Sequence, residues 1–276
     1  MVPIVRRYAA LRILSYPVYG ILSSESMRYV ECRPSPQLRH VVDRYWYLEG
    51  RVDGPDRIYP DGYCEVAIDL GPAVPGQSPS LWIPQLVEPV DMEPGSEIRV
   101  FGARLRPEAA MLAAPLCSGI VDLEGVWQGV PALRERLGEA RSTDSRVAVM
   151  DRYLAAKLAD RPPNPCVAES VRLLGEWAWK MDALASRVGV SARQLQRLFQ
   201  KHVGLEPHTF ARLARFQRAL QLERATEFSW TRIAQEAGYF DQAHLIGEFR
   251  QFTGATPAAR QDGEMGRHMS RGELAE

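Results

Sequence analysis

The hydrophobic period of the chain changes near Pro107. Between Met27 and that point, apolar and polar residues alternate in short runs punctuated by turn formers. Tyr45-Trp46-Tyr47-Leu48 is rich in strand formers, and Asp61-Gly62 is a turn signal. Cys64, Val66, Ile68 and Leu70 alternate with Glu65, Ala67 and Asp69, and further runs at Leu81 to Ile83 and Ile98 to Leu105 lie between proline and glycine clusters. This pattern predicts several short strands closing into a small β-barrel or sandwich. Beyond Pro107 the apolar steps become three and four, which predicts helices over Glu108 to Leu116 and Ala132 to Leu137. Val147, Met150, Leu154 and Leu158 form a stripe that one helix would bury against the barrel or against a second subunit.

Arg161-Pro162-Pro163-Asn164-Pro165 cannot continue a helix, because proline lacks the amide donor and restricts the residue before it. The domain boundary is placed there, and everything from it to about Asp262 is predicted to be helical. The fold class is therefore α+β, with a β-rich N-terminal domain (27–160) carrying trailing helices, a linker (161–165), and an all-α C-terminal domain (166–262). Residues 1–26 show no periodicity. The chain begins again at Met27, which is taken as the functional start, with a poorly ordered extension before it and a disordered tail over 263–276.

Within the helical part, two segments repeat each other: LASRVGVSARQLQRLFQKHVGLEP from Leu184 to Pro207, and IAQEAGYFDQAHLIGEFRQFTGATP from Ile233 to Pro257. Each has an apolar-Ala pair, a turn glycine (Gly189, Gly238), a helix with Leu and Phe four residues apart, and a closing Gly-x-x-Pro. This is the pattern of a helix-turn-helix, whose second helix enters a DNA groove. In the first unit Met181 to Val188 is the supporting helix and Ser191 caps the next one. There Leu195, Leu198 and Phe199 must pack inward, which turns Arg193, Gln196, Arg197 and Gln200 outward as base readers. Arginine grips guanine O6 and N7, and glutamine pairs with adenine. Pro207 opens a long helix joining the units, with its proline in the first turn. In the second unit Ser229 and Asp241 are the caps, and Gln242 and His244 are the polar candidates for base contact. Ser191, Lys201, Arg212, Arg215 and Arg250 are expected at phosphates.

Composition narrows this only locally. Thirty-four basic residues balance thirty-four acidic ones, but from Ser191 to Arg218 six basic residues face one acid, Glu206. Such a segment can hold phosphates. Cys32, Cys64, Cys117 and Cys166 lie far apart with no CxxC pair, so neither a zinc site nor a disulfide framework is indicated, and a reducing cytoplasm is expected. Arg12, Pro17 and Gly20 interrupt the apolar stretch near the N-terminus before a signal-peptide core forms, and no segment approaches the roughly 20 apolar residues of a spanning helix.

Together the two repeats and the FARLARFQRAL segment resemble the DNA-binding domain of the AraC/XylS transcription regulators, over about Val167 to Arg260. The resemblance implies two helix-turn-helix units on a linking helix, a companion domain for sensing or dimerising, and promoter binding that usually activates transcription. The segments SPQLRHVVDRYWYLEG, IYPDGYCEVAIDLG and RVFGARLRP are similar to a companion domain found in a subset of these regulators, of cupin-like architecture. One departure matters: the family often carries arginine on the second recognition helix where this chain has Gly247. The first helix is then expected to dominate specificity.

The implied partners are promoter double-stranded DNA, RNA polymerase, a small-molecule effector and a second copy of the chain. Trp46, Tyr59, Tyr63, Trp82 and Arg104 are the aromatic and cationic groups that would line an effector cavity. The alternative is an N-terminal half that only dimerises or binds a protein. No metal or cofactor is expected, since His40 is the only histidine before the linker. Asp61, Glu65 and Asp69 are the sole candidates for paired catalytic carboxylates, with no nucleophile or cofactor loop nearby, so catalysis is not expected.

Overall fold

The computed structural model describes residues 27–51, 56–72, 76–92, 97–113, 119–177 and 179–262, and the expectations for both termini fall outside them. The N-terminal strands are β1 (Arg28–Cys32), β2 (Val42–Arg51), β3 (Asp56–Ile58), β4 (Cys64–Asp69), β5 (Ser80–Ile83), β6 (Val90–Met92), β7 (Glu97–Leu105) and β8 (Val121–Asp122). Six of them form one antiparallel sheet in the order β1-β2-β7-β4-β5-β8, and β3 pairs with β6 in a separate ribbon.

Both faces of the large sheet are covered, so β4 is buried at nearly every position despite its alternating sequence. On one face Trp46, Leu48, Ala67, Leu81, Ile83, Ile98 and Val100 pack with Ile58 and Val90 of the ribbon. The other face meets the trailing helices. These are a short 3-10 turn with α1 (Ala110–Ala113), then α2 (Val130–Glu139) and α3 (Thr143–Leu158). Met150, Leu154 and Leu158 bury in that core beside Tyr45, Phe101 and Leu105. The stripe read in α3 is thus taken up inside its own domain.

Residues 161–164 carry no regular structure, and Pro165 starts the next helix, with Asn164 as its cap accepting from the Val167 amide at 3.2 Å. The helical part runs α4 (Pro165–Glu176), α5 (Met181–Arg187), α6 (Ala192–His202), α7 (Pro207–Ala225), α8 (Trp230–Ala237), α9 (Gln242–Thr253) and α10 (Pro257–Asp262). Its apolar contacts form three clusters around α7, the third shared with the N-terminal half. Leu195, Phe199 and Phe210 share the first with Val167 and Leu184. Ala219 shares the second with Ile233, Ala237 and Leu245.

The two halves touch through the 57–63 segment, the chain near Gln85, and the 107–113 turn and α1, which lie against α4 and α6. Tyr59 inserts among Leu213, Phe216, Leu220, Phe249 and Phe252, with its ring edge-on to Phe216 at 6.3 Å. Gln217 donates to the Pro60 carbonyl at 2.7 Å, and Arg57 donates to the Thr253 carbonyl at 2.8 Å. Gln85 donates to the carbonyl of Val203, the C-cap of α6, at 2.6 Å.

Candidate nucleic-acid interface

The first unit is assembled from local signals. Gly189 adopts φ 75° between α5 and α6, a backbone state that costs glycine least. Ser191 then accepts the Gln194 amide at 3.2 Å, supplying a partner to one of the otherwise unpaired donors at the start of α6. Leu195 and Phe199 are fully buried, which fixes the rotation of the helix. Arg193, Gln196, Arg197, Gln200 and Lys201 are all exposed as a consequence, with the N-terminal half present. Gln200 also donates to the Gly204 carbonyl at 3.2 Å. The result is a helix face carrying two arginines, two glutamines and a lysine, the chemistry that reads base edges and phosphates in a major groove.

The second unit uses the same devices with one more residue between its glycine and its cap. Gly238 adopts φ 86°, Ser229 caps α8, and Asp241 accepts the His244 amide at 2.7 Å. Leu245, Phe249 and Phe252 face inward. The two polar candidates are engaged within the domain. Gln242 accepts from the Thr231 hydroxyl at 2.7 Å, and the His244 ring stands edge-on to Tyr239 at 5.2 Å. Arg250 is exposed near the far end of α9.

The arginines of α7 are also placed by tertiary contacts. Arg212 and Arg215 both reach the buried Glu248 of α9, at 2.7 and 3.4 Å, and Arg212 also contacts Gln251. Arg218 donates to the carbonyls of Gly175 and Ala237, at 2.6 and 3.3 Å. These three side chains tie the linking helix to its neighbours. Glu248 is the partner the sequence did not single out. It reads as one more solvated carboxylate on an amphipathic helix, and only the fold brings α7 against it. The 19 residues of α7 rise about 28 Å, close to the roughly 34 Å of one DNA turn.

In the N-terminal half the five aromatic and cationic candidates separate. Trp46 and Arg104 share the ribbon-covered face, where Arg104 pairs with Asp61 at 2.9 Å and Glu65 at 3.0 Å and lies 5.0 Å from the Tyr63 ring centre. Burial raises the Asp61 carboxyl against the opposing pull of Arg104, and burial pushes the Tyr63 hydroxyl up to about 12. Trp82 lies on the opposite, helix-covered face, 6.2 Å from Trp127. Tyr59 belongs to the contact with α7. An open polar cleft of about 490 Å³ at the start of α3 is lined by Arg28, Tyr47, Glu49, Arg99, Arg141 and the 142–146 segment, and by none of the five.

Residues 184–262 match a family described as a helix-turn-helix domain, and residues 30–116 match one described as a domain of unknown function, DUF6597. The chain is similar to the HTH-type transcriptional regulator GbdR of Pseudomonas aeruginosa, with 34% identity over 84 residues, covering 30% of this chain and 23% of that protein. It is also similar to the HTH-type transcriptional activator RhaS of Escherichia fergusonii, with 33% identity over 82 residues and 30% of each covered. The chain thus spans less than a third of the length of these curated relatives. Among solved structures, a transcriptional regulator from Chromobacterium violaceum with an AraC-type DNA-binding domain is 31% identical, covering 36% of this chain and 92% of that one at a TM-score of 0.34. The paired units are a helix-turn-helix domain. Over that domain the chain is similar to HTH-type transcriptional regulators and to a solved AraC-type DNA-binding domain. Among the described residues, no helix is long and apolar enough to cross a membrane.

Proposed function

We propose that this protein is a sequence-specific, DNA-binding regulator of transcription in which α6 makes most of the base contacts. The observation that carries this reading is the exposure of Arg193, Gln196, Arg197 and Gln200 on one face of a helix whose opposite face is fixed by Leu195 and Phe199. Lys201, Ser191 and Arg250 take phosphates, while Arg212 and Arg215 hold α7 to α9.

Titration of the full chain against a duplex selected from a random pool tests this assignment. Arg197→Ala should lower affinity for the selected site by roughly ten- to a hundredfold, the range of one lost bidentate contact, and by more than any single change between Gln242 and Gly247. Lys201→Ala should weaken binding to every sequence and reduce the salt slope by about one. Equal losses from Arg197 and from the second helix would overturn the assignment.

A regulatory input through the N-terminal half is favoured by one further observation. Asp61 pairs with the buried Arg104, while its neighbours Tyr59 and Pro60 contact α7. A small polar effector that competes for Arg104 would shift the segment lying against the linking helix. Trp46 and Tyr63 are the aromatic groups beside it, and the indole nitrogen of Trp46 is buried without a hydrogen-bond partner among the described residues. Activation through RNA polymerase and assembly as a homodimer complete this reading.

A further inference from the structure

The second recognition helix presents an apolar face where the first presents arginine. Ala243, Gly247 and Arg250 recur at helical spacing on the exposed side of α9, and Ile246 beside them is half-buried. Counted from the caps Ser191 and Asp241, Ala243 and Gly247 stand where the first unit has Arg193 and Arg197. Of the polar side chains beside them, Gln242 accepts from Thr231, and the exposed His244 stands edge-on to Tyr239.

Two features point to what meets this face. Phe240 occupies the extra position between glycine and cap, directly before Asp241, and is 90% exposed. A phenyl ring left that open costs hydration unless something covers it. Gly247 is the second feature. A β-carbon there would meet nothing within 4 Å, so no packing inside the domain calls for glycine, although glycine weakens a helix interior relative to alanine. Its use is to let another surface approach the helix closely. Because the N-terminal part of a recognition helix lies against base edges, that surface is the floor of the major groove. The feature of that floor an apolar group can recognise is the thymine 5-methyl.

We infer that the second unit reads thymine methyl groups, with Phe240 and Ala243 in contact with them and Gly247 giving the clearance that allows the helix to seat. The inference rests on the DNA-binding reading above and assigns the ligand chemistry of its second half-site. Specificity is then divided by chemistry, with hydrogen bonds from α6 on one groove segment and apolar contacts from Phe240 and α9 on the other.

Deoxyuridine substitution isolates the methyl group, since uracil keeps every hydrogen-bonding atom of thymine. The full chain is first used to select a site from random duplexes, and footprinting locates the half under each unit. Uracil for thymine under the second unit should weaken binding about fourfold per contacted methyl, the worth of one buried methyl-sized group, and uracil under the first unit should change little. Phe240→Ser should narrow the preference for thymine over uracil to that of the remaining Ala243 contact, while its unfolding midpoint stays that of the parent. Gly247→Leu, for which the fold has room, should lose sequence preference in the second half only.

Equal affinity of the parent protein for thymine and uracil duplexes, or a selected second half without thymine, would overturn the inference while leaving regulation through α6 intact. Failure to select any site would remove the DNA-binding reading itself, and this inference with it.

Discussion

At Gly102 the sheet has no room for a methyl group. A β-carbon built there would overlap the indole of Trp46, the residue opposite it in the pairing of β2 with β7. Gly102→Ala must displace the ring or the strand, and overpacking of this kind costs roughly 1–3 kcal/mol. Urea unfolding followed by tryptophan fluorescence should show a loss of that size, whereas an unchanged midpoint would mean that the sheet yields freely there. Residue placements of this sort were hidden in the sequence. Trp46 and Trp82 stand in similar strand-forming runs, yet they end on opposite faces because register is set between strands far apart in the chain. Gln242 and His244 looked free for the same reason. Their partners, Thr231 and Tyr239, lie on the preceding helix and turn, and a helix-period pattern does not specify which polar side chains meet across an angle between helices.

Elements were far more legible than contacts. The start of each recognition helix is written within a few residues, as a positive-φ glycine, an Asx or Ser cap and the first buried leucine, so α6 and α9 follow from local chemistry alone. The strands β2, β4, β5 and β7 were visible for their length or apolar run, while β3, β6 and β8 are two or three residues long and depend on their partners for existence. What joins α9 to α7 was not visible at all, because Arg212 and Glu248 are separated by the whole second supporting helix. Glu248→Ala should leave two partly buried guanidinium groups without their carboxylate. The loss should be roughly 2–3 kcal/mol, below that of a fully enclosed ion pair because Arg212 keeps 21% of its side chain in solvent. Footprinting should then show protection shrinking to the half-site under α6. Full protection of both halves would mean that the apolar contacts alone seat α9.

At the scale of the whole molecule, the sheet domain grips the helical domain at its centre and leaves the reading surface of α6 open. Tyr59 is the largest side chain in the grip, and its truncation to alanine removes an aromatic ring from a buried cluster, worth about 3 kcal/mol. Calorimetry of Tyr59→Ala should separate the melting of the helical part from that of the sheet, while the parent melts as one unit. Coincident melting in the variant would show that the two halves are coupled elsewhere.

The bond from Gln85 to Val203 joins the N-terminal half to α6 itself. It attaches to the C-cap carbonyl of α6, at the end remote from the Ser191 cap. A helix is stiff along its length because each turn is hydrogen-bonded to the next. A displacement of the loop carrying Gln85 would therefore be felt first at the C-terminal end of α6, the helix proposed above to make the base contacts.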